Sequence, residues 1–220
     1  MGKMNKAAAG ILSIILITII GIFLRITPEK VQANEEERGS WELILVNADH
    51  KIPEDYTAEL QELSDEQAVD KRIYPELQLM LDAARSEGIY PKIVSSFRTT
   101  EEQENIMQEK ISSFQEKGYS YQKAKEEAAK WVAAPGTSEH ELGLAVDINA
   151  EPSASTDKEV YGWLADNAYR YGFILRYPSN KVQITGVDYE PWHFRYVGKK
   201  AAKEITEAGI TLEEYLGQKR

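Results

Sequence analysis

Histidine occurs three times in the 220-residue chain, and two of the three stand near acidic residues at spacings that could build a metal site. His140 lies in the run PGTSEHELGLAVDI with Asp147 seven residues on, and His193 lies in DYEPWHFRY with Glu190 three residues before it. His140, Asp147 and His193 offer zinc three donors and leave a fourth position for water, the pattern of a catalytic rather than a structural site. A carboxylate that is not a ligand must then take the water's proton, and Glu190 is the candidate. There are no cysteines, which removes disulfides, thiolate nucleophiles and Cys-based zinc clusters.

Side-chain alternation supports the first half of this set. If Leu142–Ile148 is a strand, Leu142, Leu144, Val146 and Ile148 share an apolar core face, while Gly143, Ala145 and Asp147 share the other. Two of the smallest side chains beside a carboxylate would clear room for a metal and a substrate. In the second half, Pro191 puts Glu190 at the entry of a strand, in a turn or bulge that re-aims it. Trp192, Phe194 and Tyr196 then form an aromatic core stripe, with His193 and Arg195 opposite. A lone histidine under such a strand is commonly a core residue; a second histidine of complementary chemistry argues otherwise. His140-Glu141 also begins like the helical H-E-x-x-H motif, but Leu144 fills the second histidine's place, so Glu141 is not the expected base. His50 has no partner motif and reads as surface, and Asp188 as a solvated loop residue.

The elements that must position these residues read as follows. Trp41–Asn47 looks like a strand, and Ala48–Lys71 is irregular and acidic. Tyr74–Gly88 has helical spacing, with Pro75 in the first turn and Gly88 at the end. A strand at Lys92–Ser95 leads to a helix begun by a capping box, Thr99 with Glu102 or Thr100 with Gln103. Ser120 caps another helix running to about Val132, and Ala133–Ser138 is a loop. Thr156–Tyr171 reads as a helix closed by Gly172, followed by strands at Phe173–Arg176 and Glu190–Val197. Two short helices finish the chain, the second capped by Thr211 with Glu214. This order predicts an α+β domain with a small antiparallel sheet flanked by helices.

The pattern Ser138-x-His140-x-x-Gly143-x-Ala145-x-Asp147, followed by Glu190-Pro191-Trp192-His193, resembles the signature of the zinc D-alanyl-D-alanine carboxypeptidases, the VanY-like family. The resemblance covers about Tyr74 to Tyr196. It implies the fold shared by these D,D-peptidases and the amino-terminal domain of Hedgehog. It also implies zinc ligands at His140, Asp147 and His193, and a catalytic base at Glu190. The family's S-x-x-R arginine corresponds to Arg98, which there binds the substrate carboxylate or the developing oxyanion. A guanidinium suits that task because it holds a carboxylate through two parallel hydrogen bonds. Ser138, Gln103 and Tyr177 resemble the family's substrate-contacting polar positions. The implied activity is hydrolysis of the terminal D-alanine of peptidoglycan stem peptides or precursors, in wall maturation or glycopeptide resistance. The alternatives are an L,D-carboxypeptidase or D-Ala-D-Ala dipeptidase of the same fold, or a non-catalytic zinc or wall-binding module. Retention of Glu190 speaks against the last.

Composition sets the remaining expectations. At 42% apolar and 28% charged the chain suits a folded body of one domain. Lys3 and Lys6 precede the uncharged apolar run Ala7–Leu24, 18 residues long, which is near the shorter end for a membrane-spanning helix. The basic start stays in the cytoplasm, so the body is exported. The preferred reading is an uncleaved anchor over residues 1–33 with an extracellular catalytic domain; the alternative is release by cleavage after Val31-Gln32-Ala33. Residues 34–40 read as a charged linker and 41–220 as the carboxypeptidase-like domain. Beyond Ala33 the 26 basic and 36 acidic residues fall to 22 and 35, a net charge near −13 that excludes nucleic acid as a natural partner. A monomer is expected.

Overall fold

The computed structural model describes residues 31–218, so the apolar run Ala7–Leu24 lies outside the described residues. Among them, no helix is long and apolar enough to cross a membrane. A helical turn α1 (Glu35–Arg38) and a 3-10 turn (Trp41–Leu43) precede a hairpin of β1 (Leu60–Glu62) and β2 (Ala68–Asp70). Then follow α2 (Tyr74–Ser86), β3 (Pro91–Ser95), α3 (Thr100–Glu116), α4 (Tyr121–Ala128), a 3-10 turn (Glu139–Leu142) and β4 (Ala145–Ala150). The chain continues with α5 (Asp157–Asn167), a 3-10 turn (Ala168–Tyr171), β5 (Phe173–Leu175) and α6 (Val182–Thr185). It ends with β6 (His193–Tyr196), α7 (Lys199–Ala208) and α8 (Leu212–Leu216). Strands β3-β4-β6-β5 form one antiparallel sheet and β1-β2 a second, giving the expected α+β class.

Leu144, Val146 and Ile148 pack with Phe194 and Tyr196 against Leu77, Met80 and Leu81 of α2 and Val160 and Leu164 of α5. A second cluster joins Leu43 and Ile174 to Ala202 and Ile205 of α7 and Leu212, Tyr215 and Leu216 of α8. A third, small one ties α3 to α4 through Met107, Ile111, Ala124 and Ala128. The helix starts follow local chemistry. Thr99 with Glu102, Thr156 with Glu159 and Thr211 with Glu214 form capping boxes, and Ser120 caps α4.

Several expected boundaries move, each for a tertiary reason. Trp41–Asn47 is not a strand: the carbonyls of Glu42 and Ile44 both accept from Arg195 Nη2 at 3.0 Å, so they serve a buried guanidinium instead of a sheet neighbour. The Ala48–Lys71 stretch holds the β1–β2 hairpin. Helix α4 stops at Ala128, short of Val132, and Gln103 Nε2 takes the Ala133 carbonyl at 2.7 Å. Residues 34–40, expected as a solvated linker, contain a helical turn whose Asn34 is capped reciprocally by Glu37. Strand β6 starts at His193 rather than Glu190, and Trp192 lies before it, half-buried, outside the aromatic core stripe.

One irregularity matters for the site. Ile93 pairs with Ile148, on the core face, whereas Ser95 pairs with Asp147, on the opposite face, with a register shift between them. In a regular strand residues two apart share a face. The bulge therefore lets one short strand feed both the core and the site.

Candidate metal centre and active site

The site is built on the two central strands and one 3-10 turn. Asp147 of β4 pairs directly with His193 of β6, so both side chains leave the same face of the sheet. His140 sits on the turn Glu139–Leu142, capped by Ser138, whose Oγ accepts from the His140 N–H at 3.3 Å. The turn ends at Gly143, with φ +69°, where an added Cβ would stand 2.9 Å from the Asp70 backbone nitrogen. Gly143 thus closes a turn against β2, and β4 begins only at Ala145. The expectation that Gly143 shares a strand face with Asp147 and there clears room for a metal and a substrate is corrected accordingly. Ala145 stands opposite Arg195 in the β4–β6 pairing.

His140, Asp147 and His193 each offer a ligand atom, and these atoms lie within 4.8 Å of one another. Asp147 Oδ1 is 3.4 Å from His140 Nε2 and 3.0 Å from His193 Nδ1. The remaining ring nitrogens face acceptors: His140 Nδ1 is 2.7 Å from the Ser96 carbonyl, and His193 Nε2 is 3.4 Å from Glu139 Oε2. A carbonyl and a carboxylate can only accept, so each outward nitrogen carries a hydrogen and the inward one is left to supply a lone pair once a metal binds. Among the described residues no donor meets Asp147 Oδ1 in hydrogen-bonding geometry, although both imidazoles crowd it, and a cation would satisfy this buried oxygen. Two imidazoles and a carboxylate with this convergence fit zinc.

Burial alone would raise the Asp147 carboxyl, but His140 and His193 hold it far below the usual carboxylate range. Burial would depress His193, yet the adjoining carboxylates of Asp147 and Glu139 outweigh that and lift it to about 9. An entering cation must displace that proton.

Glu190 precedes β6 in a turn, its N–H donating to the Tyr177 carbonyl at 3.2 Å. Its Oε2 is 3.7 Å from His193 Nδ1. Burial pushes its carboxyl up to about 7; Asp147 adds to the rise, and His193, Arg98 and Lys110 oppose it. A carboxylate so poised is suited to exchange protons near neutrality.

Arg98 reaches the same centre from the end of β3. Its Nη2 is 3.2 Å from Asp147 Oδ2, the oxygen turned away from the histidines, and 2.8 Å from Ser95 Oγ. Its Nη1 donates to Gln103 Oε1 at 3.2 Å. Gln103 is fully buried with both ends of its amide engaged, so it braces Arg98 rather than facing a ligand freely. Ser138 is buried as a cap, and the Tyr177 ring tilts over His193 with centroids 4.9 Å apart. Arg98, Gln103, Ser138, Tyr177, Glu190 and the three candidate ligands line a cleft of about 180 Å3, with Lys110, Trp131 and Trp192 also on its wall. A larger cavity of about 550 Å3, between α2, the β1–β2 hairpin and β3, is lined by none of them. His50 lies elsewhere, half-buried, its Nδ1 2.9 Å from Asn47 Oδ1.

Sequence reasoning missed Glu139, Ser95, Arg176 and Glu213. A buried Glu139 joined to two arginines leaves no periodic signal, because its partners are 37 and 56 residues away in the chain. Burial would raise the Glu139 carboxyl, but Arg176 and Arg195 hold it well below the usual range.

The sequence matches the VanY family, D-alanyl-D-alanine carboxypeptidase, over residues 66–199. The chain belongs to that family. The D-alanyl-D-alanine carboxypeptidase of Enterococcus faecalis is 54% identical over 191 residues, covering 87% of this chain and 70% of the relative. Among solved structures, the vancomycin-resistance D,D-pentapeptidase VanY of the VanB-type cassette, a point mutant in complex with Zn(II), is 55% identical. It superposes with a TM-score of 0.79, covering 80% of this chain and 99% of its own. VanYB in complex with D-alanine-D-alanine gives 0.80 at 55% identity, covering 82% and 100%. The LdcB LD-carboxypeptidase is further off, with 36% identity and a TM-score of 0.63 over 80% of this chain and 86% of its own. This VanY-family chain is a zinc D-alanyl-D-alanine carboxypeptidase, and His140, Asp147 and His193 form its candidate zinc site.

Proposed function

We propose that the chain removes the terminal D-alanine of peptidoglycan stem peptides or precursors on the outer face of a membrane, with Glu190 as general base and Arg98 as the substrate's anchor. The observation that carries this reading is the position of Glu190. It is a buried carboxylate outside the ligand set, 3.7 Å from the ligand His193. Zinc held by His140, Asp147 and His193 supplies Lewis acidity, polarising a carbonyl and acidifying water. Glu190 takes the proton of the attacking water and returns it to the leaving amine. Arg98 offers its guanidinium to the substrate's terminal carboxylate or to the oxyanion, and Gln103 keeps that guanidinium in place. Ser138 and Tyr177 complete the polar and aromatic wall of the cleft.

The D,D preference is favoured by the greater identity to the D,D-peptidase structures, 55% against 36% for the L,D enzyme. Defined pentapeptide, tetrapeptide and D-Ala-D-Ala, incubated with the protein and analysed by mass, test it. Pentapeptide should yield tetrapeptide and D-alanine. Loss of alanine from tetrapeptide with pentapeptide left intact would overturn the D,D reading, and preferential cleavage of D-Ala-D-Ala would make it a dipeptidase.

An anchor over residues 1–33 and retention at the membrane complete the proposal. Support comes from Ala33, which is 2% exposed, donates its N–H to the Tyr215 carbonyl at 2.8 Å, and accepts from Arg38 Nε at 3.1 Å. Cleavage after Ala33 requires this seat on α8 to open. Full-length protein should fractionate with membranes and keep its first residues; a released form beginning at Asn34 would refute the anchor.

A further inference from the structure

The four side chains of Glu139, Arg176, Arg195 and Glu213 form an ion cluster in which none is more than 1% exposed. Glu139 Oε1 accepts from Arg176 Nε at 2.8 Å and from Arg195 Nη1 at 3.0 Å. Its other oxygen faces His193 Nε2 at 3.4 Å, long for a hydrogen bond but the only ring edge of His193 that points away from Asp147. Arg176 is gripped in turn by Glu213 through two bonds of 3.0 and 2.6 Å, and Asn47 Nδ2 donates to Glu213 at 3.3 Å. Arg195 spends its other donors on the carbonyls of Tyr196, Glu42 and Ile44.

Buried ion clusters add little stability over a well-packed apolar core, so their presence points to another use. Here the use is visible in how the oxygens are divided. One oxygen of Glu139 neutralises two arginines, and the other meets a metal ligand. A carboxylate accepting the outer N–H of an imidazole fixes the ring's rotation and makes its inner nitrogen a better donor. Glu42, Asn47 and Glu213 all lie outside residues 66–199, the family-matched segment. The flanks of the domain thus hold the arginines that hold Glu139.

We infer that Glu139 is a positioning residue for His193, which it holds in the orientation that binds zinc while its other oxygen is engaged by Arg176 and Arg195. This rests on the zinc reading above and deepens it. The test compares zinc affinity of full-length wild type, Glu139→Gln and Glu213→Gln by competition with a chromogenic chelator, alongside the absorption spectrum with Co(II). Glu139→Gln should weaken zinc binding about 10–100-fold and alter the Co(II) spectrum. Glu213→Gln, which loosens the cluster but leaves Glu139 against His193, should cost less than about 10-fold, below the range for a partner that touches a ligand. Should Glu139→Gln fail to fold, the double variant Glu139→Gln/Arg195→Gln removes the charges as a pair and carries the same readout. Unchanged affinity in a folded Glu139 variant, or equal loss in Glu213→Gln, overturns the inference. A wild type that binds no zinc overturns the proposed function instead.

Discussion

Asp147 and His193 stand directly opposite each other on adjacent antiparallel strands, with His193 Nδ1 3.0 Å from Asp147 Oδ1. Side chains so paired leave the sheet on one face, their Cβ atoms about 5 Å apart, and two ligands of one ion are placed by backbone register alone. A one-residue slip of β6 would send His193 into the core.

Removing the shared carboxylate should therefore empty the site. Asp147→Asn keeps the shape, loses the anionic ligand and leaves Arg98 facing a neutral amide. Metal analysis after dialysis should find zinc near zero and peptidase activity should disappear, while circular dichroism remains that of a folded protein. Stoichiometric zinc in this variant would exclude Asp147 as a ligand.

Glu190→Gln separates the base from the metal. Zinc content should stay near wild type while turnover falls about 10²–10⁴-fold. In the wild type, Glu190 works deprotonated and burial lifts its carboxyl to about 7, so kcat/KM should rise with pH through an acid limb. Zinc's charge pulls in the opposite direction, which places the midpoint at or below about 7. An acid limb that survives unchanged in Glu190→Gln would assign it to another group.

Arg98→Ala tests recognition of the free carboxylate. Loss confined to KM marks positioning, and a fall in kcat as well marks oxyanion stabilisation. Amidating the substrate's terminus should cost the wild type heavily and the variant little more. Equal sensitivity of both proteins would remove the carboxylate from Arg98's role. Because Arg98 also touches Asp147 Oδ2, zinc content must be measured in parallel.

Glu213→Gln breaks a buried pair that touches no zinc ligand and should cost about 3–5 kcal/mol at neutral pH, the usual loss on removing one partner. The sign with pH is definite. Burial would raise the Glu213 carboxyl, but Arg176 lowers it below its ordinary value. Its contribution is then complete above the unfolded carboxylate pKa of about 4.3 and vanishes as pH falls through the lower folded value. Urea melts should show the gap between variant and wild type narrowing below about pH 4. A gap that is constant from pH 3 to 7 would mean the pair is not the source.

Much was legible in the sequence because it depends on near neighbours in the chain. The capping boxes at Thr99 and Thr211 join residues three apart, and the apolar period of α2 repeats within a few turns; both survive in the structure. His140 and Asp147 were readable as one half-motif because a tight turn and a short strand separate them, and His193 as the other because it is scarce and stands next to Glu190. What the sequence could not determine depends on partners remote in the chain. The segment after Trp41 looks like a strand until Arg195, about 150 residues later, takes its carbonyls. Ser95 turns toward Asp147 only through a bulge that the pairing of β3 with β4 reveals. Glu139 looks like any acidic residue beside a histidine. Only the tertiary structure encloses it between Arg176, Arg195 and His193, since burial and long-range charge pairing leave no period in the sequence.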